Sequence, residues 1–251
     1  MKGFLKNITD KVRIFLDGRG YTCDYCGVEL FTYPTHRICE SCEEKLCKTE
    51  GDTCEKCGRK TLAQGVCQTC KSVLPSFTRG FAPFVYRGEC AAFVNRIKNG
   101  APRLAYYFGE RMAEYFVETY KPEVGSQFTL IPVPMTARRL SARGYNQAER
   151  LAEAVRGRLS ERGYLVEIRT DVLQKRRETG MQKHMNAKQR RENVSGAYLI
   201  RKRKSCQNER IILIDDIITT GATAGECAKR LLGAGAQEVL LLAVAALPER
   251  K

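Results

Sequence analysis

The sequence predicts an α/β protein with a mainly parallel sheet and flanking helices, preceded by a small cysteine-rich domain. Short apolar runs such as residues 211–214 have the composition of strands buried on both faces of a sheet. Helical periodicity, clearest over residues 104–116, alternates with these runs along the chain, and such alternation favours parallel strands. The cysteines cluster between residues 21 and 70, where large apolar side chains are scarce.

The elements of the larger domain follow from local patterns. Strands are expected as a pair or hairpin at 77–86, and singly at 127–134, 164–168, 211–214 and 238–246. Helices are expected at 91–97, 104–116, 148–159 and 222–232. Residues 169–195 are polar, very basic and without a clean period, so they are predicted to form a long loop.

Three segments are therefore expected along the 251 residues. Residues 1–20 carry apolar side chains at helical spacing, which predicts a short amphipathic helix, and they lack the unbroken apolar stretch of a signal peptide. Residues 21–72 form the cysteine-rich domain and residues 77–251 the α/β domain. No run approaches the roughly 20 apolar residues that a membrane span needs, so no transmembrane segment is predicted.

The chain is strongly basic, with 43 Lys and Arg against 28 Asp and Glu and a formal net charge of +15. If eight cysteines bind two zinc ions as thiolates, the net charge falls to about +11. Such a surplus favours polyanionic partners, either phosphorylated metabolites or nucleic acid, and composition does not choose between them.

Eight of the twelve cysteines form four Cys-x-x-Cys pairs. The pairs make two sets, Cys23, Cys26, Cys39 and Cys42, and then Cys54, Cys57, Cys67 and Cys70. Two such turns complete a tetrahedron of sulfurs, which predicts two zinc ions. Because four thiolates leave no open position, the ions should be structural. Sequential sets are the simpler assignment, and interleaved pairing stays open. Metal-binding thiols indicate a reducing, cytoplasmic compartment.

A candidate anion site lies at residues 211–225, IILIDDIITTGATAG. A buried strand leads to Asp215 and Asp216, and a turn of small polar residues then opens a helix. That turn contains Thr219, Thr220, Gly221, Ala222 and Thr223. Amides at a helix N-terminus suit a phosphate, and the two carboxylates would accept hydrogen bonds from sugar hydroxyls or stabilise positive charge at an anomeric carbon. The pattern predicts a ribose 5-phosphate site.

The same stretch resembles the phosphoribosyl pyrophosphate (PRPP) signature of type I phosphoribosyltransferases. IPVPMTARRLSARGYNQAERLA (131–152) and RRETGMQKHMNAKQRRENVSGAY (176–198) are similar to segments of the ComF family, competence-associated proteins of this superfamily. That family also carries an N-terminal double zinc ribbon. The resemblance extends from about residue 21 to 247 and implies a type I phosphoribosyltransferase-like fold preceded by a small zinc-ribbon domain.

The resemblance also implies roles for residues outside the signature. Arg138, Arg139 and Arg143 would belong to a second loop that holds pyrophosphate, for which the planar guanidinium is well suited. The basic stretch 175–191 would be a hood that closes over the activated sugar and excludes water, or else a solvated loop.

Two functions are compatible with these features. The first is an enzyme that binds Mg²⁺–PRPP and transfers the phosphoribosyl group to an acceptor, with Asp215 and Asp216 as catalytic residues. The second is a non-catalytic protein of DNA uptake that uses PRPP as a signal and binds single-stranded DNA or a helicase-like ATPase. The family implies work in the cytoplasm, including the inner face of the membrane.

Overall fold

The computed structural model describes residues 21–30, 38–179 and 187–249. The chain divides into two compact units, one ending at Glu44 and the other beginning at Lys45. The amphipathic helix predicted for residues 1–20 lies outside the described residues. Among the described helices, none combines the length and apolar character that crossing a bilayer requires.

The smaller unit contains the first four cysteines. Strands β1 (Tyr21–Thr22) and β2 (Glu29–Leu30) pair antiparallel, and helix α1 (Glu40–Glu43) follows. The turn between the strands brings the amide of Gly27 to the carbonyl of Cys23 at 2.9 Å, so the first Cys-x-x-Cys pair lies in a tight turn.

The larger unit is built on a parallel sheet. The strands of this unit are β3 (Gly80–Phe81), β4 (Phe84–Val85), β5 (Gln127–Pro132), β6 (Leu165–Ile168), β7 (Leu173–Lys175), β8 (Tyr198–Ile200), β9 (Arg210–Ile218) and β10 (Glu238–Ala246). The order is β3-β10-β9-β5-β6 with β4 also on β10, and every neighbouring pair of this sheet is parallel. Strands β7 and β8 pair antiparallel and form a separate two-stranded sheet.

The helices of the larger unit alternate with the strands. They are α2 (Gln68–Ser72), α3 (Gly88–Lys98), α4 (Leu104–Tyr120), α5 (Ala137–Arg143), α6 (Gln147–Glu161), α7 (Ala187–Val194) and α8 (Ala222–Leu232). The parallel sheet, its flanking helices and the cysteine clusters confirm the predicted fold class.

Two predictions about local structure are wrong. Segment 77–86 does not form a hairpin, because β3 and β4 each pair with β10, at Leu241↔Gly80 and Ala245↔Phe84. Segment 169–195 is not one long loop, since it contains β7 and α7; residues 180–186 of it lie outside the described residues. Helix α7 has few apolar side chains and therefore shows little periodicity in the sequence.

The sheet is buried on both faces. Ile211 and Leu213 of β9 share one apolar cluster with α8 and with the second set of cysteines. Alternation along the strand directs Ile212 to the opposite face, where α4 and α6 pack. The two helices approach closely at Gly109, where a Cβ atom would lie 2.4 Å from the Cβ of Ala154. The second cysteine set is thus part of the core of this unit.

Candidate functional site

A cavity of roughly 450 Å³ opens where β5 and β9 end and α8 begins. Ligands of parallel α/β sheets bind at this edge, beyond the carboxyl ends of the strands. The predicted site residues that line it are Asp215, Asp216, Thr219, Gly221, Ala222, Thr223, Arg139 and Arg143. The structure therefore brings together eight of the ten side chains or loop positions singled out from the sequence.

The acidic pair lies inside the strand and not after it. Strand β9 continues to Ile218 because its partner β10 continues to Ala246, so the predicted strand end at residue 214 is corrected. Asp216 is only 7% exposed. Its Oδ2 atom accepts a hydrogen bond from Gln147 Nε2 at 3.2 Å and lies 2.8 Å from Lys98 Nζ. Lys98, the last residue of α3, was not predicted to lie at this site.

Asp215 has a different environment. Its Oδ1 atom accepts a hydrogen bond from the amide of Asp216 at 2.8 Å. Burial, and then the charge of Asp216, raise the pKa of Asp215 to about 8. The raised pKa favours the protonated form of Asp215 near neutral pH, and the ammonium group of Lys98 offsets the charge of Asp216. This part of the cavity therefore carries much less negative charge than two ionised aspartates would give it.

The loop from Thr219 to Thr223 leads from β9 into α8. Gly221 is the N-cap residue and has a left-handed backbone with φ of 74°, which glycine adopts without steric cost. The amides of the first helical turn have no carbonyl partner within the helix, so they face an anion-binding position. Thr220 differs from the rest of the loop, because it lines a smaller pocket with Pro75 and Lys229 and caps the amide of Ala222 at 3.4 Å.

Helix α5 supplies the arginines. Thr136 caps the helix by accepting a hydrogen bond from the amide of Arg139 at 3.4 Å. Arg139 and Arg143 line the cavity, whereas Arg138 lies in an adjoining cleft with Glu178. The Arg139 Nε atom is 3.0 Å from Glu178 Oε2, and the Thr136 hydroxyl donates to the other carboxylate oxygen. The carboxylate of Glu178 thus ties the basic segment after β7 to α5.

Two further cavity residues were not predicted to bind a ligand. Lys175 Nζ lies 5.4 Å from the ring centroid of Tyr198 and donates to Thr179 Oγ1 at 3.3 Å. Burial, and then the charge of Arg139, lower the pKa of Lys175. Tyr198 is 1% exposed, and this burial raises the pKa of its hydroxyl. Lys175 ends β7 and Tyr198 begins β8, and the position of this antiparallel strand pair relative to the sheet has no local sequence signal.

Asn146, the N-cap residue of α6, makes structural hydrogen bonds. Its Oδ1 atom accepts from the amide of Ala148 at 3.1 Å, which caps α6, and its Nδ2 atom donates to the carbonyl of Val133 at 3.2 Å. It therefore fixes the junction between β5 and α6, and so positions Gln147, the next residue, against Asp216.

The eight cysteines form two sets of four, grouped sequentially as Cys23, Cys26, Cys39 and Cys42, and Cys54, Cys57, Cys67 and Cys70. Within each set all sulfurs lie within 4.8 Å of one another. The Cys26–Cys39 and Cys57–Cys67 sulfurs are 3.6 and 3.8 Å apart. A tetrahedral ion with Zn–S bonds of about 2.3 Å requires sulfurs about 3.8 Å apart, so both sets fit zinc.

Comparison with known proteins finds relatives along most of the chain. It is similar to Competence protein ComFC of Bacillus subtilis (strain 168), with 29% identity over 211 residues and 80% of each chain covered. It is similar to DNA utilization protein YhgH of Escherichia coli (strain K12), with 24% identity over 80% of this chain and 87% of that protein. Competence protein F of Haemophilus influenzae is 32% identical over 44% of this chain and 46% of its own. No family model matches the chain.

Among solved structures the chain resembles phosphoribosyltransferases over part of its length. Hypoxanthine-guanine phosphoribosyltransferase from Schistosoma mansoni aligns with a TM-score of 0.31 and 14% identity, covering 55% of this chain and 53% of that one. The L. donovani enzyme aligns with a TM-score of 0.33 and 14% identity, covering 59% of this chain and 79% of that one.

Proposed function

We propose that this chain, which is similar to Competence protein ComFC and to the YhgH proteins, is a ComF-family protein that binds Mg²⁺–PRPP in the cavity and acts in the uptake or use of single-stranded DNA. The PRPP proposal rests on one observation, which is that three kinds of binding group line one cavity. The groups are the loop at the N-terminus of α8, a pair of carboxyl groups and two arginines, and all of them line the cavity of roughly 450 Å³. Each matches one part of PRPP, which has a phosphate, a diol-bearing ring and a pyrophosphate.

The proposed pose follows from these groups. The 5-phosphate is held by the amides and hydroxyls of residues 219–223, where the helix dipole favours an anion. The ring hydroxyls donate to Asp215 and Asp216. The pyrophosphate faces Arg139 and Arg143, with Lys175 beside them. Magnesium enters with PRPP as part of the substrate and supplies charge neutralisation of the pyrophosphate oxygens.

Isothermal titration with Mg²⁺–PRPP tests this site. The wild type is expected to bind, and the double variant Asp215→Asn, Asp216→Asn is expected to bind at least tenfold more weakly, because Asp216, the charged acceptor of the pair, becomes a neutral amide that accepts weaker hydrogen bonds from the hydroxyls. The double variant Glu153→Gln, Glu161→Gln is the matched control, since both carboxylates are accessible to solvent on α6 and neither lines the cavity. Equal binding by the wild type and the double variant would overturn the assignment.

A binding role without group transfer is the second candidate, and the charge of the acidic pair favours it. Asp216 is paired with Lys98 at 2.8 Å and the raised pKa of Asp215 keeps that residue protonated at neutral pH. Little negative charge then remains to stabilise an oxocarbenium-like transition state. A pyrophosphate-release assay with candidate bases and with single-stranded DNA separates the two roles. Turnover supports a phosphoribosyltransferase, and tight binding without product supports a PRPP-responsive adaptor.

The DNA role is supported by the names of the relatives and by the charge of +15. Arg138, Arg176 and Arg177 are exposed and offer phosphate contacts, and Arg138 lines a cleft that shares Arg139 and Thr179 with the cavity. Affinity for single-stranded DNA is therefore expected to fall steeply between low and physiological salt. A flat salt profile would argue against this surface. A helicase-like ATPase of the uptake machinery is the proposed protein partner.

Both cysteine sets are proposed to hold structural zinc, because their sulfur spacing fits and each set is complete. Metal analysis should find about two zinc ions per chain. Thiolate sites of this kind need a reducing compartment, so we propose that the protein works in the cytoplasm, including the inner face of the membrane where incoming strands arrive.

A further inference from the structure

The second cysteine set is joined to the sheet by close backbone contacts. The amide of Gly80 in β3 donates to the carbonyl of Lys56 at 2.8 Å, and the amide of Glu249 donates to the carbonyl of Lys60 at 3.0 Å. A Cβ atom on Gly58 would lie 2.3 Å from the carbonyl oxygen of Gly80, and one on Gly80 would lie 2.8 Å from that of Cys57. Two glycines thus permit direct backbone contact between the cysteine turn and the sheet.

One buried side chain continues this contact to the anion loop. Arg59 is 5% exposed, and each of its three guanidinium nitrogens has a partner. Nε donates to the sulfur of Cys57 at 3.2 Å and one terminal nitrogen lies 3.4 Å from Thr69 Oγ1 in α2. The other terminal nitrogen donates to the backbone carbonyl of Thr219. A planar fork can make such a three-way bridge, and a lysine ammonium cannot reproduce its geometry.

The bridge reaches the loop at a position that matters for its shape. Thr219 is the first residue after β9, and Gly221, two residues on, is the left-handed N-cap of α8. Holding the carbonyl of Thr219 fixes the peptide that precedes the turn, and with it the direction of the amides that follow. A bound metal would in turn fix Cys57, because its thiolate would be a ligand.

We propose that Arg59 is a positioning residue that couples the second cysteine set to the anion loop, so that metal at Cys54, Cys57, Cys67 and Cys70 is needed for the loop to hold a 5-phosphate. The proposal rests on the proposed PRPP function for the identity of the ligand, and on the observed contacts of Arg59 for the coupling. It gives this metal a role in ligand affinity in addition to one in stability.

The first experiment compares Arg59→Gln with the wild type by titration and by hydrogen–deuterium exchange. We expect affinity for Mg²⁺–PRPP and for ribose 5-phosphate to fall ~tenfold and the amides of residues 220–223 to exchange ~tenfold faster. Affinity for Mg²⁺–pyrophosphate should stay within about twofold, because its proposed contacts come from α5. Arg59→Lys should bind more tightly than Arg59→Gln by a small factor at most, and more weakly than the wild type. Lys60→Gln is the matched control, since it removes a positive charge from an exposed neighbour.

The second experiment separates the two metal sites. Cys26→Ser, in the first set, should lower zinc content by one ion and leave loop exchange unchanged. Cys67→Ser, in the second set, should lower zinc content equally and accelerate exchange at residues 220–223. If Cys67→Ser does not fold, Arg59→Gln still tests the coupling between the second cysteine set and the loop, because that variant leaves every cysteine in place.

Unchanged loop exchange in Arg59→Gln, with both zinc ions retained, would overturn the proposal. Equal loss of affinity for ribose 5-phosphate and pyrophosphate would also overturn it, because that result indicates general loosening. If the wild type binds no PRPP, the proposed function fails, and loop exchange alone then decides whether Arg59 couples the two elements.

Discussion

The protonation of Asp215 has a direct consequence for stability. The pKa of this carboxyl group is raised from 3.8 to about 8 in the folded protein, by burial and by Asp216. The unfolded chain releases the proton near pH 4, whereas the folded protein retains it to about pH 8. The folded state therefore binds more protons than the unfolded state across this interval, and its free energy of unfolding must fall as pH rises.

The size of the effect follows from the linkage relation. Because the pKa of Asp215 is higher in the folded protein than in the unfolded chain, the protonated group stabilises the folded state. This stabilisation is complete at a pH below the unfolded-chain pKa, and it is lost as the pH rises through the folded-state pKa. The slope is at most about 1.4 kcal/mol per pH unit, so Asp215 alone should cost the protein about 2 kcal/mol between pH 6 and pH 8. In Asp215→Asn the side-chain oxygen can still accept the hydrogen bond from the amide of Asp216, and the side chain does not titrate.

Urea denaturation of the wild type and of Asp215→Asn, at half-unit steps from about pH 6 to 8.5, measures the difference in their free energies of unfolding. This range is chosen because cysteine thiolates that bind metal are not yet strongly protonated in it. The stability of Asp215→Asn relative to the wild type should rise by about 2 kcal/mol over this range and then level off. Asp171→Asn is the control, because Lys202 lowers the pKa of Asp171, which is ionised in both states here. A difference between Asp215→Asn and wild type that stays constant with pH would refute the protonated state of Asp215.

Three further predictions follow from the packing and charge. Gly80→Ala would put a Cβ 2.8 Å from the carbonyl of Cys57, so it should lower stability by roughly 1–3 kcal/mol and reduce zinc content, measured by urea denaturation and metal analysis. Gly157→Ala, where nothing lies within 4 Å of the new Cβ in α6, should instead stabilise by about 0.5–1 kcal/mol, and a loss there would contradict the packing. Lys98→Met leaves Asp216 with Gln147 alone, so it should lower stability by about 1–3 kcal/mol above pH 7; unchanged stability would show that the ion pair is not formed.

Much of the framework could be predicted because its signals are local. The cysteine spacing predicted two four-sulfur sets with sequential grouping as the simpler assignment, and the structure decides for sequential over interleaved grouping. The helix beginning at Ala222 was predicted from the small-residue turn and from periodicity, both of which are properties of adjacent residues. The same holds for α4 and α6, whose apolar stripes are long.

The remainder depends on contacts between distant segments. The length of β9 is set by pairing with β10, which is why Asp215 and Asp216 proved to be strand residues. Lys98 reaches Asp216 from a helix more than a hundred residues earlier in the chain, and Arg59 reaches Thr219 across a similar separation. Residues of this kind look like ordinary surface cations in the sequence, because only the tertiary fold supplies their partners.

The central claim is that the loop of residues 219–223 holds the 5-phosphate of PRPP. A crystal structure of the wild-type protein grown with excess Mg²⁺–PRPP tests it most directly. We expect phosphate density against the first-turn amides of α8, with the ring over Asp215 and Asp216 and the pyrophosphate toward Arg139. Density for the ligand elsewhere, or a cavity without ligand at saturating concentration, would contradict the claim.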